Sequence, residues 1–194
     1  MLYIMRHGKT DWNASHRLQG RTDIPLNDEG RAMAKAAAKE CAEVNFDVCY
    51  CSPLSRAKET ADIILENRKV PIIIDERLIE MSFGEFEGME YGFKEVDTPI
   101  NIMFRHPEEY RASIGNAETF QELFDRTGEF LKQVVKADLE AGKDVLIVGH
   151  GAMNSGIICQ LMDKPIEEFW SAGIENCKLF ELGDTITDYE LKFS

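Results

Sequence analysis

The chain has 194 residues, of which 44% are hydrophobic and 29% charged, the composition of a globular domain rather than of a disordered chain. Its formal net charge of −13 argues against a nucleic acid or an anionic membrane as partner, because either would need a basic face. No apolar run approaches the roughly 18 residues of a membrane span, and Arg6 and Lys9 interrupt the apolar stretch that a signal peptide would need.

Short apolar runs that stop at charged residues or glycine predict strands at residues 2–5, 48–51, 72–74, 145–148, 177–182 and 189–193. Longer stretches with helical periodicity predict helices at residues 28–43, 53–66, 99–106, 117–141 and 152–162. Asn27 is the predicted N-cap of the first helix, and Ser52 and Pro53 are the predicted N-cap and first residue of the second. Gly128 marks a bend in the longest helix.

Strands alternate with helices along most of the chain, and no repeat or linker divides it. This order predicts a single α/β domain over residues 1–194, with a mostly parallel sheet that carries helices on both faces. Ligands of such sheets bind at the carboxyl ends of the strands. Three polar groups fall at predicted strand ends, namely Arg6-His7-Gly8, Arg56 and His150.

The cysteines are odd in number and scattered, at positions 41, 49, 51, 159 and 177. Cys49 and Cys51 have strand spacing, and no second pair of cysteines or histidines completes a zinc site. We therefore expect five reduced thiols in a cytoplasmic protein.

His7 follows the first predicted strand. A lone histidine there is more often a structural residue than a catalyst, but its neighbours favour chemistry. The forked donors of Arg6 suit a phosphate, and this cation disfavours a proton on the adjacent imidazole. Gly8 lets a ligand approach the backbone. The triplet indicates a neutral, nucleophilic His7 beside an anion, with a surface ion pair of Arg6 as the plainer alternative.

Arg56 and His150 belong to two further strand ends. Arg56 lies in the first turn of a predicted helix, where unpaired N–H groups and the helix dipole favour an anion. His150 stands between two glycines after the most apolar strand, with room to contact a ligand. A solvated arginine and a core histidine bonded to a carbonyl remain the alternatives.

Glu80 lies among apolar residues in the segment 78–84. A carboxyl group that is shielded from water holds its proton more readily and can donate it to a leaving alkoxide. Spacing alone leaves Glu76, Glu85 and Glu87 as rivals, and most acids in such a segment are simply solvated.

Motifs for other phosphate-handling sites are missing from the sequence. Neither GxxxxGK[ST] nor a GxGxxG after a strand occurs, so nucleotide binding lacks support. The segment from Cys51 to Arg56 lacks the glycines of a cysteine phosphatase loop and includes a proline, which removes an N–H donor. No cluster of aspartate and histidine has metal-ligand spacing, so we expect no metal and no cofactor.

Four blocks of sequence resemble the histidine phosphatase (phosphoglycerate mutase-like) superfamily. The first is RHGKTDWN at 6–13 followed by RLQG at 17–20, and the second is SPLSRA at 52–57. LIEMSFG at 78–84 resembles the third block, and VGHG at 148–151 the fourth. An RHG triplet alone would be weak, but four blocks in family order make a specific match.

The resemblance implies a three-layer α/β/α sandwich and a metal-free mechanism through a phosphohistidine. His7 would become phosphorylated, while Arg6, Arg56 and His150 would hold the phosphoryl oxygens. Glu80 would protonate the leaving oxygen and later deprotonate water; only the resemblance singles it out from its rivals. Residues matching family positions at the substrate are Gly8, Asn13, Gln19 and Gly20.

Two departures from the family pattern refine the prediction. Lys9 replaces the usual glutamate of RHGET and adds positive charge near the mouth of the pocket. Residues 81–88, MSFGEFEG, lack the RHYGxLxG pattern of the cofactor-dependent mutases, and the segment 88–116 is short for a mutase. The chain therefore resembles the phosphatase branch, including its α-ribazole phosphatase-like members.

We predict a phosphomonoesterase whose partner is a small phosphorylated metabolite. The alternatives are a bisphosphate-primed mutase and a non-catalytic phosphate-binding module; a protein-phosphatase role stays open. Residues 81–116 are the predicted substrate-specificity segment. Its acidic first part, with Glu85, Glu87, Glu90, Glu95 and Asp97, favours a neutral or cationic alcohol over a second phosphate.

Overall fold

The computed structural model describes residues 1–90 and 98–184. Within these residues the strands are β1 (Leu2–Arg6), β2 (Val48–Cys51), β3 (Ile72–Ile74), β4 (Val145–Gly149) and β5 (Leu179–Gly183). They form one sheet in the order β3-β2-β4-β1-β5, in which only β5 runs antiparallel to its neighbour. The predicted mostly parallel sheet is therefore confirmed.

The described helices are α1 (Asp11–Ala14), α2 (Asp28–Glu40), α3 (Ser55–Ile64), α4 (Asn101–Arg105), α5 (Phe120–Phe130), α6 (Lys136–Glu140) and α7 (Gly151–Leu161). Short 3₁₀ helices occur at Glu76–Leu78, Gly84–Phe86, Pro107–Glu109 and Ile166–Ala172. Asn27 caps α2 as predicted, because its side chain accepts a hydrogen bond from the Gly30 N–H at 2.8 Å. The sequence did not predict α1 or the 3₁₀ helices. No helix in the described part of the chain is long and apolar enough to cross a membrane.

Alternate side chains of the strands point to opposite faces, and each face has its own core. Ile4 and Ile147 belong to the core on the α5 and α7 side. Met5 and Val148 belong to the core on the α2 and α3 side, where alanines keep the helices close to the sheet. The chain thus has the predicted layers of helix, sheet and helix.

The start of α3 differs from the prediction. Its N-cap is Leu54, and the helix begins at Ser55, so Ser52 and Pro53 are not its N-cap and first residue. Ser52 still belongs to the extended segment after β2, where its hydroxyl accepts from the Leu54 N–H at 3.3 Å. The carboxylate of Asp23 supplies the missing cap from another part of the chain, accepting from the Ser55 N–H at 2.8 Å.

The longest predicted helix is one irregular run in the structure. A π-helical turn at Leu131–Val135 separates α5 from α6, so the irregularity lies after Gly128, which is buried within α5. The last described strand also starts later than predicted, because Cys177 has a left-handed backbone with φ of 57°. The predicted strand at 189–193 lies outside the described residues.

Candidate active site

The register of the central strands brings the predicted strand ends together. Arg6 of β1 pairs with Gly149 of β4, and the His7 N–H donates to the Gly149 carbonyl at 2.9 Å. His7 and His150 therefore follow adjacent strands at the same edge of the sheet, with their ring centroids 5.1 Å apart. Arg56, from α3, reaches the same place and donates from Nε to His7 Nε2 at 3.3 Å.

The hydrogen bonds of His7 define which ring nitrogen carries the hydrogen. Nδ1 lies 2.6 Å from the Gly8 carbonyl oxygen. A carbonyl can only accept, so Nδ1 carries the hydrogen and Nε2 keeps its lone pair. The Arg56 N–H points at that lone pair. Nε2 is thus the nucleophilic atom of this ring.

His7 is almost fully buried, with 2% of its surface exposed. Burial, the charge of Arg56 and the charge of Arg6, in that order, hold the pKa of His7 well below its ordinary value of 6.5. The imidazole is therefore neutral at pH 7, as a nucleophile must be.

Arg56 is fully buried and anchored on backbone carbonyls. Its Nη2 donates to Gly20 O at 2.7 Å and its Nη1 to Thr22 O at 2.9 Å. Burial lowers the pKa of Arg56 to about 10, opposed mainly by the carboxylate of Glu80, so the group stays charged at neutral pH. A guanidinium has five N–H donors, and these contacts leave donors for a phosphoryl oxygen.

His150 and Arg6 each carry a buried nitrogen that has no partner. His150 Nε2 lies 2.6 Å from the Ser52 hydroxyl, while its Nδ1 has no hydrogen bond. Arg6 donates from Nη1 to the Ile174 carbonyl at 3.2 Å, and its Nε has no partner. In the described part of the chain the other such buried side-chain atom is Asn154 Oδ1. An oxyanion held between Arg6 and His150 would satisfy both nitrogens.

Glu80 is the glutamate of segment 76–87 that reaches the cavity. Its carboxylate accepts hydrogen bonds from the backbone N–H groups of Met81, Ala152 and Met153 at 2.8, 3.2 and 2.8 Å. Two of these donors belong to the first turn of α7, whose dipole complements a carboxylate. The rivals Glu76, Glu85 and Glu87 do not line the cavity.

A cavity of about 810 Å³ opens over these groups. Arg6, His7, Arg56 and Glu80 line it, whereas His150 is fully buried and is not among the lining residues. Phe83, Phe104 and Trp170 also line it; we call them the aromatic wall, in which Phe104 and Trp170 stack with their centroids 5.0 Å apart. The cavity thus combines cationic and aromatic side chains.

The four predicted substrate residues divide into three that line the cavity and one that does not. Asn13, Gln19 and Gly20 line it. The Thr10 hydroxyl donates to Gln19 Oε1 at 2.9 Å, which leaves the amide NH₂ of Gln19 to donate to a ligand. Gly8 does not line the cavity; a Cβ there would lie 2.6 Å from the Gly30 carbonyl oxygen, so it is the packing of α2 that excludes a side chain.

Sequence reasoning missed the contribution of residues 170–176. Trp170, Ile174 and Asn176 line the cavity, and Asn176 Nδ2 donates to the His7 carbonyl at 2.6 Å. No motif marks this stretch. The one feature that could have indicated its place near His7 is that it precedes β5, the strand that pairs with β1.

The charge of Lys9 at the mouth is partly neutralised. Lys9 lines the cavity, and its Nζ lies 2.6 Å from Glu29 Oε1. Of the acidic residues in the predicted specificity segment, Glu85 and Glu90 bind Asn116 and Arg17, whereas Glu95 and Asp97 lie outside the described residues.

One group of described side chains has metal-ligand spacing. Donor atoms of His106, Glu108 and Glu109 lie within 4.8 Å of one another. The group is largely solvent-exposed and does not line the cavity.

Residues 2–192 match the model of the histidine phosphatase superfamily (branch 1). The chain belongs to this superfamily. It is 37% identical over 158 residues to the uncharacterized phosphatase PhoE of Bacillus subtilis, and the match covers 81% of this chain and 75% of that protein. It is also 31% identical to 2,3-bisphosphoglycerate-dependent phosphoglycerate mutase 2 of Gloeobacter violaceus, with 91% and 82% of the chains covered.

Among solved structures, the fold is similar to the α-ribazole phosphatase of Shigella flexneri. The TM-score is 0.68 at 29% identity, with 88% of this chain and 83% of that chain covered. The predicted family and fold are therefore confirmed. The relatives include both phosphatases and mutases.

Proposed function

We propose that the protein is a phosphomonoesterase that hydrolyses small phosphorylated metabolites through a phosphohistidine on His7. The observation that carries the proposal is the lone pair of His7 Nε2, which lies beside Arg56 in a buried, cationic site. The unpartnered nitrogens of Arg6 and His150 support an oxyanion at the same place.

In the first step, the lone pair of His7 Nε2 attacks phosphorus in line. A P–N bond forms, the P–O bond to the alcohol breaks, and Glu80 gives a proton to the leaving oxygen.

In the second step, the Glu80 carboxylate takes a proton from water, and the oxygen of that water attacks phosphorus. The P–N bond breaks and inorganic phosphate leaves, which restores His7 and protonated Glu80. Arg6, Arg56 and His150 balance the charge of the phosphoryl oxygens in both steps. These groups supply positive charge from the chain itself, and we therefore propose that the reaction needs no metal and no other cofactor.

The carbon part of the substrate lies against the aromatic wall in this proposal. Phe83, Phe104 and Trp170 offer apolar contact area and no charge. This wall supports a phosphate monoester whose alcohol part has apolar surface, while Lys9 and Arg17 add cations to the lining. The free, buried cysteines suit the reducing cytoplasm that we propose as its location.

The second candidate function is a bisphosphate-primed phosphoglycerate mutase, which the 31% identical mutase of Gloeobacter violaceus favours. A mutase returns the phosphoryl group to a second hydroxyl and must exclude water from the phosphoenzyme. A non-catalytic phosphate-binding module is the weaker alternative, since the five proposed catalytic side chains are all present.

The test is phosphate release from p-nitrophenyl phosphate in the presence of EDTA, with wild type beside His7→Ala. We expect turnover by the wild type and none by the variant. Persistent activity in His7→Ala would overturn the role of His7, and loss of wild-type activity in EDTA would overturn metal independence. An inactive wild type that interconverts phosphoglycerates when primed with bisphosphate would instead be a mutase.

A further inference from the structure

Glu87 does not line the cavity, yet its carboxylate accepts four hydrogen bonds. Oε1 accepts from the backbone N–H groups of Arg21 and Phe83 at 3.0 and 3.1 Å. Oε2 accepts from the backbone N–H and the hydroxyl of Thr22 at 2.9 and 2.5 Å. A partly buried carboxylate that accepts four hydrogen bonds, three of them from backbone N–H groups, holds that backbone in a defined place.

The backbone that Glu87 holds is the turn Gly20–Thr22. Gly20 has φ of +55°, and a Cβ there would lie 2.1 Å from Glu87 Oε1. The carboxylate therefore packs on the bare face of a glycine in the left-handed region. Any side chain at position 20 would displace either the turn or Glu87.

The carbonyl groups of the same turn bind Arg56. The Gly20 and Thr22 carbonyls accept from the two Nη atoms of Arg56, at 2.7 and 2.9 Å. Glu87 thus binds N–H groups of a turn whose carbonyl groups bind the guanidinium. Through its charge, Glu87 also opposes the effect of burial on the pKa of Arg56, after Glu80 and Asp23.

We propose that Glu87 is a positioning residue that acts through the turn Gly20–Thr22 to hold Arg56 in line with His7 Nε2 and the phosphoryl group. The inference rests on the proposed function, because Arg56 must grip a phosphoryl oxygen for its position to matter. It assigns to Glu87 a role different from that of Glu80, which touches the reacting atoms.

Replacement by glutamine tests this role. Glutamine keeps the size of Glu87 but turns one oxygen into an NH₂ group, which faces N–H donors and cannot accept from them. The turn Gly20–Thr22 is then expected to shift, and Arg56 shifts with it because its guanidinium is bonded to the carbonyls of this turn. A displacement of about 1 Å at a catalytic group can cost roughly 100-fold in rate. Glu85→Gln is the matched control, since Glu85 is exposed and binds Asn116.

The decisive experiment is a double-mutant cycle on p-nitrophenyl phosphate hydrolysis. Glu87→Gln is measured in the wild type and in Arg56→Ala, together with the inhibition constant of inorganic phosphate. We expect kcat/KM to fall roughly 100-fold in the wild-type background and to change by no more than about twofold in Arg56→Ala. The inhibition constant should rise in Glu87→Gln and stay unchanged in Glu85→Gln.

Equal losses in both backgrounds would mean general damage and would overturn the proposal, as would an unchanged Glu87→Gln. If Glu87→Gln fails to fold, Thr22→Val replaces it, because this variant removes only the hydrogen bond from the Thr22 hydroxyl to Glu87. Its loss of kcat/KM should be smaller, and it must fall to no more than about twofold in the Arg56→Ala background. A wild type without His7-dependent turnover overturns the proposed function, and this inference with it. An active wild type with an unaffected Glu87→Gln overturns this inference alone.

Discussion

At the scale of single residues, Glu80 separates proton donation from phosphate binding. We expect Glu80→Gln to lower kcat/KM, which reports formation of the phosphoenzyme, by roughly 10²- to 10⁴-fold on an alkyl phosphate, whose leaving alkoxide needs a proton. The loss of kcat/KM should be much smaller on p-nitrophenyl phosphate, because nitrophenolate leaves without one. The measurement is kcat/KM for both substrates in wild type, Glu80→Gln and Glu85→Gln. Near-full activity of Glu80→Gln on the alkyl phosphate would assign the acid to another group.

The two buried histidines make stability depend on pH. Burial is the first cause that holds the pKa of both His7 and His150 well below 6.5. Below pH 6.5 the unfolded chain therefore binds protons that the folded chain does not, and the free energy of unfolding falls as pH falls. Between pH 7.5 and 5.5 each histidine should remove up to about 1.4 kcal/mol.

Urea unfolding at the two pH values measures this loss. His150→Gln should retain only about half of the pH-dependent change, whatever its effect on stability at pH 7.5. The two proteins would show identical pH dependence if the buried imidazoles were protonated in the folded state.

The convergence of the candidate site residues could be predicted from the sequence, but the contacts that support them could not. Strand-end positions and family blocks indicated Arg6, His7, Arg56 and His150, and the structure brings them together. Ser52 was predicted as a helix cap, whereas its hydroxyl contacts His150 Nε2 at 2.6 Å. That contact joins residues 98 positions apart, and no local pattern encodes it.

At the scale of elements, α2 is docked against the segment that follows β1. A Cβ on Gly30 would lie 2.1 Å from the Lys9 carbonyl oxygen, which is backbone and cannot turn aside. We expect Gly30→Ala to destabilise the fold by about 1–3 kcal/mol. It should also lower kcat, because the adjacent Gly8 carbonyl holds the His7 ring.

Gly156→Ala is the control for this substitution. The new Cβ would lie 3.2 Å from Leu123 Cδ2, a flexible side chain, and alanine favours a helix. We expect unchanged kcat and a midpoint of urea unfolding close to that of the wild type. A Gly30→Ala protein with wild-type kcat would show that α2 does not influence the position of His7.

Element types were predictable because their periodicities are local, whereas the ends of elements depend on tertiary contacts. The strands β2 and β3 have the predicted bounds. The start of α3 lies later than predicted because Asp23, from a turn distant in sequence, binds the Ser55 N–H. The turn at Leu131–Val135 occurs in a stretch without proline or glycine, so composition gave no sign of it.

At the scale of the whole molecule, the five cysteines are divided between the two cores. All five are free and buried. Burial raises the pKa of Cys51 and Cys177 to about 12 and that of Cys159 to about 11. A thiol reagent such as DTNB needs the thiolate and access to it. We expect no fast-reacting thiol in the native protein and five in guanidinium chloride. Rapid labelling of one equivalent in the native state would contradict this burial.

The overall architecture followed from the order of elements, but the shape of the cavity did not. Alternating strands and helices predict a parallel sheet, and the handedness of its connections limits the strand order. The aromatic wall combines Phe83, Phe104 and Trp170, which are far apart in sequence. Apolar residues at such positions are indistinguishable from core residues until the chain is folded.

The pairing of β1 with β4 has a consequence for how the molecule folds. These strands are neighbours inside the sheet, and their contact pairs Leu2 with Val145, so it closes a very long loop and forms slowly. A refolding intermediate can have its helices and still lack the junction between Arg6 and Gly149. In the proposed function, recovery of phosphate binding during refolding therefore requires the closure of this strand pair.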